Sequence, residues 1–334
     1  MTDVSPLTQA QQTFSDKVAW RALPSEDCAL PAALQRVLSE PVTAPLDMPP
    51  YHRAIVEGYL VHTADTAQAS ETSPVRFAIV GEVMPGDAQC PRFSPGQAIR
   101  VATGSIVPDG GYSIVRMWEA KQDGQAFTIG RPFPPRFFIE DQGCDMKKGQ
   151  VAVAAGSVLH AAAIGQIAAL GIDQVKVMRR PQVTVFASGD EVIPYTAPLR
   201  PGQIRDCNSV MLSAAVTEAG GMARSGGIMR DDFDQFVAAV RRALQDSDMI
   251  VIAGGTAVGD RDFISDLLRE VGELVVDGVQ MKSGRPLIMG VAGDKPLVCV
   301  AGHPPEALRG FRLFGIAALN RLLGVDAPLP ADVA

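Results

Sequence analysis

The stretch QVTVFASGDE (residues 182–191) decides how the second half of the chain folds. Its first seven residues form an apolar and β-branched run, which is typical of a strand buried on both faces. A glycine and two carboxylates follow within three residues. DMIVIAGG (248–255) repeats the pattern of a buried strand that ends in glycines. These stretches predict strands of one sheet whose carboxyl ends carry polar loops.

Helical segments alternate with these strands after Pro181. Asn208 is a suitable N-cap for the first of them, and Asp231 or Asp232 for the second. The predicted helices are SVMLSAAVTEAGG (209–221), FDQFVAAVRRALQ (233–245), RDFISDLLREVG (261–272) and the last, PEALRGFRLFGIAALNRLLG (305–324). Alternation of strands and helices predicts a parallel sheet with helices on both faces, a doubly wound α/β domain over residues 181–325.

The first half of the chain has a different pattern. Short β-type runs alternate with Gly/Pro turns, which predicts a smaller, mostly-β domain over residues 51–145. Residues 15–50 and 146–180 are predicted to form a linking α+β region. Within it, LPAALQRVLSE (30–40) has helical spacing, whereas the first 15 or so residues resemble a loose tail. The predicted fold class is therefore α/β, with several domains.

Composition excludes several classes of protein. The net charge is −7 and no basic run appears, which argues against nucleic-acid binding. No apolar run approaches the roughly 20 residues of a membrane span, and the polar N-terminus lacks a signal pattern. The five cysteines are odd in number and far apart, so neither a disulfide framework nor a structural zinc site is expected. We therefore expect a cytoplasmic protein.

Three predicted strand ends carry glycine-containing loops, and ligands on such sheets bind beyond the carboxyl ends of the strands. Glycines let backbone N–H groups approach a phosphate closely. The loop residues expected to hold a phosphate-bearing ligand are Ser188, Gly189, Asp190, Gly254, Gly255, Thr256, Asp260, Gly302, His303 and Pro304. Lys282, Gly284 and Arg285 form a further turn whose two cations could clamp a phosphate. The alternative is that these glycines only make tight turns.

Carboxylates are also concentrated at this predicted edge: Asp190, Glu191, Asp206, Asp231, Asp232, Asp260 and Asp262. Helix capping explains some of them, since Asp231, Asp232 and Asp262 suit N-cap or first-turn positions. An excess beyond capping suits a hard cation such as Mg²⁺, which prefers carboxylate and phosphate oxygens.

Taken together, these segments resemble the MoeA family, the molybdopterin molybdenumtransferases. The segments that carry the resemblance are TAPLDMPPY (43–51), SPGQAIRVATGS with Pro108 (94–108), the run from Gly156 to Val192, PLRPGQIRDCNS (198–209), GGIMRDD (226–232) and GGTAVGDRDF (254–263). The match extends roughly from Leu23 to Gly324, so the family's usual C-terminal β domain is expected to be missing.

The resemblance implies an enzyme that inserts molybdate into adenylylated molybdopterin and releases AMP, with Mg²⁺ and usually as a homodimer. It implies catalytic roles for Asp231, Asp262, Glu191, Asp145, Thr103 and Glu57, with Asp231, Asp262 and Glu191 also as metal ligands. The strand-end loops and the turn at Lys282 would then hold the molybdopterin phosphate or adenylate. The β-domain residues are expected to face the α/β domain of the partner subunit.

The sequence departs from the family at several of these positions. The loop Asp-Asn-Ser-Ala-Met-Asp is here His52 to Glu57, which keeps the final charge on a longer arm. Gly-Glu-Asp has become Gly143-Cys144-Asp145. These changes leave open a non-catalytic molybdopterin-binding paralogue, such as a carrier, a sensor or an insertion partner for a molybdo- or tungsto-enzyme. A generic scaffold on this fold is a third reading.

Overall fold

A computed structural model of the chain describes residues 6–230, 232–254, 263–279 and 287–329. Its helices are α1 (Pro6–Lys17), α2 (Ala161–Ala169), α3 (Asn208–Glu218), α4 (Phe233–Asp246), α5 (Phe263–Val271), α6 (Pro304–Gly310) and α7 (Ile316–Leu322). A π-helical turn, Phe311–Gly315, joins α6 to α7. Three short 3₁₀ turns cover Leu30–Ala32, Thr63–Thr66 and Met117–Glu119.

The strands, in chain order, are β1 (Ser25–Ala29), β2 (Val42–Thr43), β3 (Arg53–Ala54), β4 (Gly58–His62), β5 (Val75–Val83), β6 (Gln97–Val101), β7 (Tyr112–Arg116), β8 (Lys121–Asp123), β9 (Ala126–Ile129), β10 (Ile139–Glu140), β11 (Val151–Val153), β12 (Gln174–Met178), β13 (Gln182–Ser188), β14 (Val192–Ile193), β15 (Ile204–Arg205), β16 (Met222–Met229), β17 (Met249–Ala253), β18 (Glu273–Asp277), β19 (Ile288–Ala292) and β20 (Lys295–Val300). They fall into two compact units. The α/β unit comprises Met1–Pro41, Ala154–Ala168 and Ile172–Ala334, and the β unit comprises Val42–Val153 and Ala169–Gly171. The three-part division expected from the sequence stays a prediction.

The α/β unit contains a six-stranded sheet in the order β16-β13-β17-β20-β19-β18. Its first four strands are parallel, as predicted, but β19 runs antiparallel to both of its neighbours. The predicted parallel sheet is therefore confirmed for these four strands and wrong for β19. The physical reason is the tight turn at Gly293-Asp294, where the glycine adopts a φ of 65°. Such a turn joins antiparallel strands without a crossover helix.

Helices cover both faces of this sheet, as predicted for a doubly wound fold. In β17, Val251 belongs to a buried cluster that includes residues of α3 and α7. The alternate residues Ile250 and Ile252 belong to a second cluster, with Phe236 of α4 and Leu267 of α5. Because successive side chains point to opposite faces, a continuous apolar run is what a strand between two helical layers requires.

The first described residues are not a loose tail, contrary to expectation. They form α1, and Phe14 is buried, with its ring centroid 6.2 Å from that of Phe314. Gln11 is also buried, and its Nε2 donates to the carbonyl of Leu313 at 3.1 Å. The segment is mostly polar, so its sequence did not predict a packed helix. Its contact with the α/β core is made by one aromatic ring and one hydrogen-bonded amide.

The helix expected over residues 30–40 is also absent, apart from the single 3₁₀ turn. Gln35 adopts a φ of 59°, which ends any right-handed helix there. Its backbone N–H donates to the carbonyl of Leu159 at 2.8 Å, and that of Leu38 donates to Ser157 at 3.0 Å. Pairing with a segment distant in sequence therefore overrides the local helical spacing.

The β unit contains a mixed six-stranded sheet in the order β7-β4-β6-β5-β9-β8, in which only β5 and β6 are parallel. One face buries stacked aromatic rings, with the Tyr59 and Phe127 centroids 4.3 Å apart and the Phe77 and Phe127 centroids 5.3 Å apart. The other face buries an aliphatic cluster that includes Leu60 and Ile99. The unit therefore has an apolar core of its own.

Two glycines, one within α2 and one just after it, differ in the expected effect of an alanine substitution on the free energy of unfolding. Gly165 lies exposed inside α2, and a Cβ there would meet nothing within 4 Å. We expect Gly165→Ala to stabilise the protein by about 0.5–1 kcal/mol, measured by urea unfolding. Gly171, just after the helix, has equal space but a φ of 75°, so Gly171→Ala is expected to destabilise. Equal effects of the two changes would contradict this account.

Candidate functional site

The carboxyl ends of β13, β17 and β20 lie side by side in the α/β unit, so the three predicted loops begin at one sheet edge. The backbone N–H of Gly254 donates to the carbonyl of Val300 at 3.1 Å. The buried Ser188 hydroxyl donates to the carbonyl of Ala253 at 3.4 Å. The structure thus brings the strand ends together as the sequence predicted.

Glycine is required where two of these strand ends meet. Gly254 adopts a φ of 98°, and a Cβ there would lie 2.7 Å from the Ser188 carbonyl oxygen. A Cβ on Gly302 would lie 3.6 Å from the Gly254 Cα. Gly254 is buried and its N–H is bonded to Val300, whereas Gly302 is exposed, so the backbone at Gly302 is the part of this contact that an anion can approach.

Eight of the predicted site residues lie outside the described residues. They are Asp231, Gly255, Thr256, Asp260, Asp262, Lys282, Gly284 and Arg285. Their roles stay predictions.

The loop after β13 presents carboxylates beside a strained glycine. Gly189 adopts a φ of 139°, and its N–H donates to the carbonyl of Met229 at 3.1 Å. A Cβ on Gly189 would meet the Glu191 carboxylate at 2.7 Å, so that carboxylate lies directly over the glycine. Within the described ranges, the exposed Glu191 carboxylate receives no hydrogen bond and no ion pair. Its oxygens are therefore open to a ligand.

Arg230 adds a positive charge that the sequence reasoning did not single out. Its Nη1 donates to the backbone carbonyl of Asp190 at 2.8 Å and lies 3.9 Å from the Asp190 carboxylate. Arg230, Asp206, Ser209 and Tyr195 help to line a cleft of about 740 Å³ beside the same edge. The sequence signal was the position of Arg230 directly after a predicted strand and directly before Asp231 and Asp232.

Helix capping accounts for two other carboxylates of the edge. Asp232 is the N-cap of α4 and accepts from the backbone N–H of Gln235 at 3.1 Å, as predicted. Asp206, rather than Asn208, satisfies the start of α3, because it accepts from the backbone N–H and from the hydroxyl of Ser209. The prediction that Asn208 caps this helix was therefore wrong.

Asn208 has a different role, which sequence reasoning missed. Its Nδ2 donates to the carbonyl of Gly302 at 2.7 Å, which ties the start of α3 to the loop after β20. Its Oδ1 is buried without a hydrogen-bond partner among the described residues. A buried acceptor without a partner is costly, so this atom is well placed to accept a hydrogen bond from a ligand.

The remaining predicted residues of this edge, His303 and Pro304, follow Gly302 in the chain. His303 is the N-cap residue of α6 and makes no side-chain capping bond, and Pro304 stands in the first turn. Proline suits that position because the missing N–H would have no helical partner.

In the β unit, the predicted residues Glu57, Thr103 and Asp145 gather around one segment, residues 51–58. The Thr103-Gly104 turn is attached to it, since the Gly104 N–H donates to the Ala54 carbonyl at 2.8 Å. Thr103 itself is exposed. Glu57 belongs to the segment, and its carbonyl accepts from the Met117 N–H at 3.4 Å. The structure thus attaches the turn that carries Thr103 to the segment that carries Glu57.

Asp145 approaches the same segment through Arg53. The Arg53 guanidinium hydrogen-bonds Glu140 at 2.7 Å and lies 3.9 Å from the Asp145 carboxylate. The hydrogen bond with Glu140 raises the pKa of Arg53 above its ordinary value, so the cation is permanent. Desolvation, followed by the Asp145 charge, raises the pKa of the neighbouring Cys144 thiol. The departures from the family at Arg53 and Cys144 thus leave Asp145 beside a fixed cation and a neutral thiol.

Two features are absent from the described ranges of the chain. No group of three His, Cys, Asp or Glu side chains there could hold a metal ion. The helices found in those ranges include none that is long and apolar enough to cross a membrane. Glu191 is the one predicted metal ligand that the structure describes, and its exposed oxygens are ligands of the type that Mg²⁺ prefers.

By its fold, the chain is a multidomain α/β protein of the doubly wound class, in which ligands bind beyond the carboxyl ends of the strands. Two sequence-family descriptions match it. Residues 5–171 match the MoeA N-terminal region (domain I and II), and residues 184–321 match a probable molybdopterin binding domain. The chain belongs to the MoeA family, the molybdopterin molybdenumtransferases, as the resemblance implied.

Individual relatives agree with this assignment. A protein of Bacillus subtilis named molybdopterin molybdenumtransferase is 32% identical over 295 residues, which is 87% of this chain and 69% of that protein. A protein of the same name from a Nostoc species is 30% identical over 88% of this chain and 68% of its own length. A crystal structure of the molybdopterin biosynthesis MoeA protein from Pyrococcus horikoshii superposes with a TM-score of 0.83 at 28% identity, covering 97% of this chain and 80% of that one.

Proposed function

We propose that this protein inserts molybdate into adenylylated molybdopterin, releasing AMP and molybdenum cofactor. Membership of the family supports a transferase in molybdenum cofactor biosynthesis. The observation that carries the proposal is the sheet edge at which Ser188, Gly254 and Gly302 meet beside the open carboxylate of Glu191. Such an edge combines backbone donors for phosphate with oxygen ligands for a hard cation.

In this proposal the α/β unit holds the substrate by its phosphate groups. Gly302 offers exposed backbone to the phosphates, Gly189 and Gly254 let the ligand approach closely because they carry no side chain, and the predicted turn at Lys282 and Arg285 supplies positive charge. Bidentate and charge-assisted contacts of this kind fix a phosphate strongly. Asn208 Oδ1 accepts from the ligand, which removes the cost of its buried, unpartnered state.

Glu191, Asp231 and Asp262 are proposed to hold Mg²⁺ and to position molybdate. The cation supplies the charge that lets two oxyanions approach each other within a carboxylate-rich site. Glu57, Thr103 and Asp145 contribute from the β unit, where the Arg53 cation lies 3.9 Å from the Asp145 carboxylate. Placement and electrostatics, rather than covalent catalysis, then supply most of the rate.

We further propose a cytoplasmic homodimer that passes its product to a molybdo- or tungsto-enzyme. The alternative of a non-catalytic paralogue is not favoured, because the relatives that match most of the chain are named as transferases.

The test is molybdate-dependent release of AMP. Purified protein is incubated with adenylylated molybdopterin, molybdate and Mg²⁺, and AMP is measured by chromatography. We expect AMP to appear only when molybdate is present and to fall to background when EDTA removes the cation. Tight binding of adenylylated molybdopterin without any AMP release would reject the transferase and restore the paralogue.

A further inference from the structure

An aromatic side chain stands exposed in the β unit beside the segment that carries Glu57. Trp118 is 71% exposed, more than any other large hydrophobic residue in the part of the chain that the structure describes. It lies in the 3₁₀ turn Met117–Glu119, directly after β7. An exposed tryptophan lacks the favourable free energy that burial of its large apolar ring would supply, so the exposure of Trp118 favours a role in binding.

The turn is tied to the Glu57 segment by backbone contacts. The Met117 N–H donates to the Glu57 carbonyl at 3.4 Å. In the β4–β7 ladder, Gly58 pairs with Arg116, the residue before the turn. Trp118 therefore stands close in the fold to Glu57, one of the residues proposed to act in catalysis.

A cation holds one side of the indole in place. The Arg116 guanidinium carbon lies 4.8 Å from the centroid of the Trp118 ring and 4.9 Å from that of Phe138. Phe138 is itself fixed, because its carbonyl accepts from the Ile55 N–H at 3.1 Å. The guanidinium thus contacts both rings, and the indole is the more exposed of the two.

The same group carries an excess of positive charge. Arg116 Nε donates to the Glu119 carboxylate at 2.8 Å, and Arg131 Nε donates to that carboxylate at 3.1 Å. These hydrogen bonds, led by that of Arg116, lower the pKa of Glu119, so it stays ionised. Two guanidiniums thus share one carboxylate, and one positive charge is left over within this group.

We propose that Trp118, backed by Arg116, is a stacking platform for a planar heteroaromatic ring that carries phosphate. This rests on the proposed function, whose substrate contains two such rings, adenine and pterin. An exposed indole accepts a ring face, and the uncompensated guanidinium charge complements the phosphate. Trp118 is thereby a specificity-determining residue of the β unit and acts by binding, without taking part in bond breaking.

Fluorescence tests the contact independently of turnover. The chain has two tryptophans, so a Trp20→Phe variant reports Trp118 alone. AMP and 6-hydroxymethylpterin are titrated separately, with ribose 5-phosphate as a probe that lacks the ring. We expect saturable quenching by AMP, by the pterin or by both, and none by ribose 5-phosphate. The ligand that quenches the fluorescence identifies which ring, adenine or pterin, stacks on Trp118. Trp118→Phe protein, which retains Trp20, is expected to show only the inner-filter change.

Steady-state kinetics test whether the contact with Trp118 contributes to binding of adenylylated molybdopterin. Trp118→Ala is expected to raise KM for adenylylated molybdopterin about tenfold with little change in kcat, and Trp118→Phe to retain most of the affinity. Leu34→Ala removes another exposed apolar side chain, in the α/β unit, and is expected to leave KM unchanged.

The possible outcomes distinguish a failure of the Trp118 platform from a failure of the proposed transferase function. Quenching by AMP or pterin without any AMP release rejects the transferase but keeps the platform. Normal AMP release with no quenching and an unchanged KM in Trp118→Ala rejects the platform alone. Conversion of a dimer to a monomer by Trp118→Ala, with ligand quenching absent, also overturns the platform and assigns Trp118 to a subunit interface.

Discussion

Replacing Glu191 with Gln is expected to lower the rate of molybdate-dependent AMP release by about 100-fold or more. The change keeps the shape of the side chain but removes the charge of the one proposed metal ligand that the structure describes. Because Glu191 is exposed and receives no hydrogen bond or ion pair from the described residues, we expect folding stability to be unaffected. The measurement is the initial rate of AMP release as a function of Mg²⁺ concentration.

Two variants serve as controls for this prediction. Glu218→Gln removes the same charge from an exposed position near the end of α3 and is expected to leave the rate unchanged. Glu191→Asp keeps the charge on a shorter arm and is expected to recover part of the rate at high Mg²⁺. A Glu191→Gln protein that turns over normally would remove this residue from the proposed cation site.

Replacing Gly58 with Ala is expected to destabilise the β unit by about 3 kcal/mol or more. A Cβ at this position would lie 2.1 Å from the Val115 carbonyl oxygen and 2.9 Å from Ile114 Cγ2. The carbonyl is held in the β4–β7 ladder, so it cannot move away without breaking sheet hydrogen bonds. Glycine is required at this position because β4 and β7 approach each other closely. The same close approach positions the Glu57 segment.

Urea unfolding is followed by Trp118 fluorescence in a Trp20→Phe background, where Trp118 is the only tryptophan and lies in the β unit. Gly111→Ala is the matched control, since it lies in the same unit and a Cβ there would meet nothing within 4 Å. We expect that control to unfold close to the unmodified protein. Equal midpoints for Gly58→Ala and Gly111→Ala would show that the ladder tolerates a methyl group and would contradict the argument.

At positions 52–56, where the sequence departs from the family, two side chains are hydrogen-bonded to residues 140–142. Arg53 is hydrogen-bonded to Glu140, and His52 Nδ1 accepts from the backbone N–H of Gln142 at 3.0 Å. The rewritten segment is therefore anchored to the loop that carries Asp145.

The sequence by itself determined those features that rest on local patterns. Buried strands such as β13 and β17 were predictable because a strand between two helical layers must be apolar throughout. The positions of Ser188, Gly254 and Gly302 at one edge followed, because parallel strands direct their carboxyl ends to the same side. The ordered series of motifs also indicated the MoeA family, which the comparisons confirm.

Only the tertiary structure decided features that depend on contacts between distant segments. Leu30 to Glu40 has helical spacing, yet its backbone pairs with residues 157–159. Asn208 was a plausible cap until the fold directed its amide to Gly302, almost a hundred residues away in sequence. Arg230 and Trp118 were not predicted, because the residues that give them a role, Asp190 and Glu57, are distant in sequence. In each case the free energy of a long-range contact outweighs a local preference of at most about 1 kcal/mol per residue.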